Sequence, residues 1–458
     1  MSTASLIDGA AAPVTIVPVA ESGFDAWLSG LSPASRQWVA ANALKAEAGK
    51  HLALPAAGGG IAEIVAVYDE GQPLWALGGL PDTLPEGDYR LPVGMAPALA
   101  TAFAAGWAIG SYAFTRYRKR RRAPARLVWP EGADRAEATR LAEAVWLVRD
   151  LVNTPAEGLG PADLAAAAAA LGKRHGAAVR ILTGDELLAA NYPMVHAVGR
   201  GSARPPCLVD LTWGDPAAPK VTLVGKGVCF DSGGYDLKPA SGMKLMKKDM
   251  GGAANVLGLA SLVMAAGRKV RLRVLVPAVE NLVSGNAFKP LDVIATRKGI
   301  TVEIGNTDAE GRLILCEPLT EADGENPALL IDMATLTGAA RVALGPELPA
   351  MYSNDDGLAA DILAASAAVH DPLWRLPLWK PYRKLLDSNI ADINNVSESP
   401  FAGSITAALY LQEFVSRTTP WVHFDLYAWN NAVRPGRPEG GEAQAIRALD
   451  KVIADRFG

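Results

Sequence analysis

Histidine and cysteine are both scarce in this chain, and each scarcity narrows the chemistry. The five histidines are His51, His175, His196, His370 and His423. None forms HExxH or another zinc-ligand spacing, which argues against a catalytic zinc held by imidazole. The three cysteines, Cys207, Cys229 and Cys316, have no CxxC spacing and make no disulfide framework, as suits a reducing compartment. Charge of either sign is not in large excess: the formal net charge is −4, so nothing points globally to nucleic acid or a membrane surface. No apolar run is long enough to span a bilayer, and Ala-rich Leu164 to Leu171 reads as a helix. Met1 to Val19 lacks a basic stretch followed by an apolar one, so no signal peptide is expected. There is no internal repeat. Half the residues are apolar and a fifth charged, and 458 residues make two domains the natural expectation for a globular enzyme.

Against this plain background stands Asn306-Thr307-Asp308-Ala309-Glu310-Gly311-Arg312-Leu313. It sets two carboxylates and a guanidinium within five residues, just after the β-like run Thr301 to Ile304. Asp308 and Glu310 can supply oxygen ligands to a hard or borderline metal cation. Arg312 adds a fixed cation whose planar donor fork suits a carboxylate or carbonate. Gly305 and Gly311 permit the tight backbone of a crowded site. Alone, the octapeptide also fits a strand end, a turn and a helix cap with surface charges. A second segment, Val224 to Ala254, shifts the balance. Lys226, Asp231, Lys238 and Asp249 stand there in a Gly-rich, apolar setting. Charges so placed are costly to bury unless they meet metals or one another.

Together the two segments resemble the leucyl aminopeptidase (cytosol aminopeptidase) family, whose members carry a two-metal centre. The family's octapeptide stands unaltered, and the spacing of the upstream lysines and aspartates matches. The likeness covers the chain from about Arg149 onward, including Arg149-Asp150-Leu151-Val152-Asn153-Thr154-Pro155 and Ala334-Thr335-Leu336-Thr337-Gly338-Ala339. It is weak over the N-terminal third.

The resemblance implies one metal on Asp231, Asp308 and Glu310, with the backbone carbonyl of Asp308. The other metal would be held by Lys226, Asp231, Asp249 and Glu310, so Asp231 and Glu310 would bridge. An amine ligates only when neutral, so Lys226 would need a strongly lowered pKa. Two ions roughly 3.5 Å apart could share and activate a water. Lys238 would stabilise the oxyanion, and Arg312 would hold a bicarbonate as general base. Met246, Thr335 and Gly338 would line the pocket for the first side chain. An apolar pocket there favours Leu or Met by only about 1–3 kcal/mol per methylene, and Met246 could equally be core filler. Also implied are zinc or manganese as the ions, peptide substrates, a homohexamer of stacked trimers and a cytoplasmic location. The chain departs from the family text at Cys316-Glu317-Pro318, where Pro318 should bend a helix, and at Ser397-Glu398-Ser399-Pro400. His423 is expected to be structural.

Patterning places these motifs. Val14 to Val19 and Ile64 to Tyr68 read as strands among helical stretches such as Leu99 to Ile109. Asp134 to Leu151 reads as a long helix. Val221 to Val224, Val270 to Val276, Thr301 to Ile304 and Leu329 to Met333 read as strands, with helices over Gly251 to Ala266 and from about Ala309. The expected fold is α/β in two domains: a smaller N-terminal α/β domain, and a larger catalytic domain with a mixed, largely parallel sheet covered by helices. The expected division is an N-terminal domain over 1–130, a linker helix over 131–153 and a di-metal peptidase domain over 154–458. Lys226, Asp231 and Asp308 all fall just after strands, where open α/β sheets bind ligands.

Two other functions compete with the aminopeptidase. Arg116-Tyr117-Arg118-Lys119-Arg120-Arg121-Arg122 could touch nucleic acid, and some relatives bind DNA, so a DNA-binding regulator retaining the aminopeptidase fold is the alternative. A solvated edge between elements is the ordinary reading of that run, and a nucleic acid partner is not expected. The third is another two-metal hydrolase such as a phosphatase, against which the amine-type ligand Lys226 argues.

Overall fold

Val14-Thr15-Ile16-Val17-Pro18-Val19, rich in β-branched residues, forms a strand as its composition demands. It belongs to a six-stranded sheet in the computed structural model, which describes residues 4–458. The strands are β1 (Leu6–Ile7), β2 (Val14–Ala20), β3 (His51–Pro55), β4 (Ile61–Tyr68), β5 (Asp88–Arg90) and β6 (Arg126–Val128), in the order β1-β6-β5-β2-β4-β3. Pairing is parallel except between β3 and β4. Val19, Phe24, Val39, Leu54, Val65 and Val67 form a core cluster beside this sheet. The helix Pro97–Gly110 buries Phe103 and Trp107 fully. Two cations of the basic run turn inward. Arg122 donates to the carbonyls of Pro81, Asp82 and Leu84, and Arg120 donates to Ser111 O and pairs with Asp82. Arg116, Arg118, Lys119 and Arg121 are exposed.

This unit extends to Trp146 and includes Asn430–Glu439; Leu147–Trp429 and Gly440–Gly458 form a second unit. The boundary falls inside the helix Arg135–Asn153. The second unit is built on a nine-stranded sheet. Its strands include β7 (Ala178–Thr183), β8 (Cys207–Trp213), β9 (Lys220–Gly225), β10 (Gly227–Asp231) and β11 (Arg271–Asn281). A small separate sheet follows, of β12 (Val293–Ala295) and β13 (Thr301–Glu303) with the later β17 (Ile393–Asn394). The large sheet is completed by β14 (Leu329–Ala334), β15 (Ala350–Ser353), β16 (Trp374–Arg375) and β18 (Trp421–Asp425).

The sheet runs β16-β15-β18-β14-β9-β11-β8-β7, with β10 added to β11. Its centre, β18-β14-β9-β11, is parallel, and β7, β8 and β15 run antiparallel to their neighbours towards the centre. The mixed, largely parallel sheet expected from the sequence is thus present. Val221, Leu223 and Val224 of β9 are fully buried, as a strand covered on both faces requires. The helix Gly251–Ala265 packs on β9 and β14 and opens with Gly251 and Gly252 because the sheet lies so close. A Cβ at Gly252 would lie 2.0 Å from the carbonyl oxygen of Met333. Five strand ends carry polar residues to one edge: Lys226 follows β9, Asp231 ends β10, Asn281 ends β11, Thr335 follows β14 and Asp425 ends β18.

The helix Glu310–Asp323 contains Pro318 and runs on past it to Asp323. The acidic residue before that proline has its own task. The buried Glu317 carboxylate accepts from the backbone N–H of Met194 at 2.9 Å, Val195 at 3.1 Å and Arg297 at 3.3 Å. Burial pushes this carboxyl up to about 8, against the pull of those donors. A folded value above the ordinary 4.5 means that the folded chain holds a proton that the unfolded chain releases. Stability therefore falls as pH rises through that window. Glu317→Gln is expected to flatten the decline in unfolding temperature between about pH 5 and 8. Parallel wild-type and variant profiles would contradict this.

Candidate metal centre

Four carboxylates and two lysines converge where those strand ends meet. Asp231 is placed by the end of β10, and its Oδ1 accepts from Gly233 N at 2.8 Å and Asn281 Nδ2 at 2.9 Å. Its Oδ2 lies 2.9 Å from the Lys238 ammonium. Asp249 sits in the short helical turn Met246–Met250, with Oδ2 at 2.7 Å from Lys226 Nζ and Oδ1 accepting from Thr335 Oγ1 at 2.8 Å. Glu310 opens its helix and places Oε1 at 3.0 Å from Lys226 Nζ. Asp308, half-buried, contacts Lys238; its turn is set by Asn306, whose side chain accepts from Asp308 N at 2.6 Å. Donor atoms of Asp231, Asp308 and Glu310 all lie within 4.8 Å of one another. Glycine makes the crowding feasible, since a Cβ at Gly311 would lie 2.6 Å from Lys226 Cε.

Burial pushes Glu310 up to about 8, with the charge of Asp231 adding to it. Burial and then Asp249 raise Asp231 to about 6. For Asp249 burial is outweighed by Lys226 and Lys248, which hold it below the usual carboxylate range. Negative charge is thus in excess, a setting that calls for cations. Lys226 and Lys238 supply part of that charge: burial opposes their ammonium forms, but the facing carboxylates outweigh it and hold both above the ordinary lysine range. Here the two ammoniums stand where cations would sit. Lys226 is therefore protonated among these groups, the reverse of the neutral amine that ligation needs. The reason is the three carboxylates facing it, and divalent charge bound to those same carboxylates would invert the balance.

The donor set fits a divalent ion by a second observation. Asp249 Oδ2 and Asp308 Oδ1 are buried without a hydrogen bond of ordinary geometry, and each meets a lysine ammonium instead. Oxygen donors with one amine nitrogen accept zinc, manganese, cobalt or magnesium.

Lys226, Asp231, Lys238, Asp249, Asp308 and Arg312 line one cavity of about 570 Å³, together with Met246, Thr335 and Gly338. Glu310 lies behind the lining, bonded to Lys226. The Arg312 guanidinium is buried; Nη1 donates to Asn395 O at 2.7 Å, and Nε has no partner among the described residues. Thr335 has bonds besides its place in the wall: Oγ1 donates to Asp249 Oδ1 and to the Asp249 carbonyl, and its own carbonyl accepts from Lys226 Nζ at 3.0 Å. His423 is fully buried and pairs with Asp332 at 2.6 Å, the structural role expected of it.

Sequence reasoning passed over Asn281, which ends β11 beside Asp231 at the end of β10. Its Nδ2 donates to Asp231 Oδ1, to Thr307 O at 3.0 Å and more weakly to Glu310 Oε2 at 3.4 Å. It thus orients two carboxylates at once. Asn281→Ala is expected to weaken metal affinity by roughly 10–100-fold, the usual cost of losing such an outer partner. Activity at saturating metal should fall much less, and unchanged affinity by metal titration would contradict the assignment. Lys248, Arg341 and Tyr427, which also line the cavity, were likewise not singled out.

Known proteins share this architecture. Residues 146–449 match the cytosol aminopeptidase family catalytic domain, and residues 14–130 match the M17 aminopeptidase N-terminal domain. A probable cytosol aminopeptidase of Chlorobium limicola is 43% identical over 310 residues, 67% of this chain and 61% of that protein. The match thus spans somewhat less than two thirds of that relative's length. A crystal structure of cytosol aminopeptidase from Coxiella burnetii superposes with a TM-score of 0.95 at 44% identity, over 99% of this chain and 100% of that one. The bottromycin maturation enzyme BotP in complex with Mn superposes with a TM-score of 0.88 at 33% identity, over 98% of this chain and 100% of its own. With its two α/β domains and both family matches, the chain belongs to the leucyl aminopeptidase (cytosol aminopeptidase) family of metallo-exopeptidases.

Proposed function

We propose that this chain is a metal-dependent aminopeptidase that hydrolyses the N-terminal residue from peptides with two divalent ions per subunit. The observation that carries the reading is the convergence of Asp231, Asp249, Asp308 and Glu310 beside one cavity, with Lys226 and Lys238 as their close lysine partners. Lys226, Asp231, Asp249 and Glu310 would hold one ion, and Asp231, Asp308 and Glu310 the other. Such ions supply Lewis-acid activation of a water and of the scissile carbonyl. Zinc or manganese fits these donors, and the Mn complex of the BotP neighbour favours manganese as the first to try.

The chain's own residues carry the remaining roles. Lys238 presents a fixed positive charge to the oxygen of the tetrahedral adduct. Arg312, buried with Nε uncommitted among the described residues, would hold a bicarbonate, which would supply a general base beside the attacking water. Met246, Thr335 and Gly338 form walls for the first side chain and favour Leu-like residues modestly. A free α-amine on the substrate would be required, because the residues Asp231, Asp308 and Glu310 would hold an ion able to receive it. A homohexamer in the cytoplasm rests on the family resemblance alone, and light scattering tests the assembly.

Metal-stripped protein, reloaded with manganese or zinc, should hydrolyse leucine p-nitroanilide and leave its N-acetyl form untouched. Equal turnover of both, or turnover without metal, would overturn the reading.

A further inference from the structure

The cavity has a cationic end that neither the metal centre nor an apolar pocket accounts for. Lys248 stands between Met246, a wall residue, and Asp249, a carboxylate of the metal centre. Its side chain is buried, with 5% of the residue exposed. The ammonium has no hydrogen-bond acceptor among the described residues, and the nearest carboxylate oxygen, Asp249 Oδ1, is 4.0 Å away. That carboxylate is already committed to Lys226 at 2.7 Å and to Thr335. Arg341 lies one turn along the helix Gly338–Leu344, whose first residue is another wall residue. Its guanidinium likewise has no carboxylate or carbonyl partner among the described residues. Both cations instead meet one ring in the cavity: Lys248 Nζ and Arg341 Cζ each lie 5.0 Å from the centre of Tyr427.

No lining carboxylate is free to balance them. Asp231, Asp249 and Asp308 face the metal centre. Asp425 accepts from Leu336 N, Thr337 N, Thr337 Oγ1 and Ser404 Oγ. Both cations meet one ring, Lys248 buried and Arg341 exposed, and the desolvated Lys248 ammonium is costly without an anion. A side chain that entered past Met246 with an apolar stem and an anionic tip would meet both requirements.

We propose that Lys248 and Arg341 form an acid-accepting end of the pocket for the substrate's first side chain, so that the enzyme selects an N-terminal glutamate over its uncharged isostere glutamine. The inference rests on the aminopeptidase reading and names a substrate class for the same site. A charge-assisted hydrogen bond to the buried Lys248 ammonium discriminates more strongly than one methylene does. A carboxylate at the C-terminus of a short peptide has the same chemistry, so the test uses substrates that lack one.

The experiment compares kcat/KM of the metal-loaded enzyme for the α-p-nitroanilides of glutamate, glutamine and leucine. Glutamate should exceed glutamine by roughly ten-fold or more. Lys248→Met should bring that ratio near one, and Arg341→Met should lower it to a smaller extent. The ratio is the readout because general damage beside Asp249 would depress all three substrates together. Equal wild-type rates for glutamate and glutamine, with leucine turned over, would overturn this inference alone. A glutamate-to-glutamine ratio that survives both substitutions would overturn it as well. No turnover of any anilide would overturn the aminopeptidase reading and this inference with it.

Discussion

Glu310→Gln is expected to lower kcat/KM for leucine p-nitroanilide by on the order of 10³-fold or more, the scale on which losing a charged transition-state partner registers. The substitution keeps the shape of the side chain and an oxygen able to accept from Lys226, which lies 3.0 Å from Glu310 Oε1. It removes the negative charge that would let one carboxylate serve two ions. The charge matters here because the site is buried, where a missing countercharge is poorly screened by water. Structural damage should be slight, since burial and Asp231 already disfavour the anion, raising Glu310 to about 8. Unfolding temperature and circular dichroism of the metal-free variant should match or exceed those of the wild type. A variant that retains more than a tenth of wild-type kcat/KM at saturating metal would contradict a bridging role. One that loses activity through misfolding would show it in the same spectra.

The second large effect is at Lys238. Lys238→Met should reduce kcat by about 10²–10³-fold and leave KM nearly unchanged, the signature of a contact made in the transition state alone. A rival role is visible in the structure, where the Lys238 ammonium lies 2.9 Å from Asp231 Oδ2 and contacts Asp308. The two roles separate by measurement. Were Lys238 only a countercharge, its removal would free two ligands, tighten metal binding and spare kcat. If it acts on the developing oxyanion, kcat falls whatever metal affinity does. Metal titration by calorimetry beside steady-state kinetics distinguishes the outcomes, and an unchanged kcat would contradict the oxyanion role.

The strands and helices that carry the site were legible because their local patterns are strong. Val221-Thr222-Leu223-Val224 is a short run of β-branched and apolar residues, and it lies within β9. Thr301 to Ile304 leads directly into Asp308, Glu310 and Arg312, and the strand over Thr301–Glu303 and the helix from Glu310 follow that order. What escaped the sequence depends on contacts between distant residues. Asn281 gains meaning only because the end of β11 lies beside the end of β10. Lys248 sits amid Met-Lys-Lys-Asp, where lysine normally reads as solvated, and only burial against Tyr427 reveals it. Pro318 predicts a bent helix from local chemistry, and the helix runs past it to Asp323 in a buried setting that no local pattern encodes, with neighbouring Glu317 bonded to Met194 and Val195. The grouping of Asn430–Glu439 with the first unit is another long-range outcome that no local pattern encodes.

The central claim is a two-metal centre on five named ligands. Diffraction from manganese-loaded crystals, collected for anomalous signal, tests it most directly. The account predicts two strong peaks per subunit, roughly 3.5 Å apart, each touching Asp231 and Glu310, with Lys226 and Asp249 on one and Asp308 on the other. A single peak, or peaks bound away from these carboxylates in active protein, would contradict it.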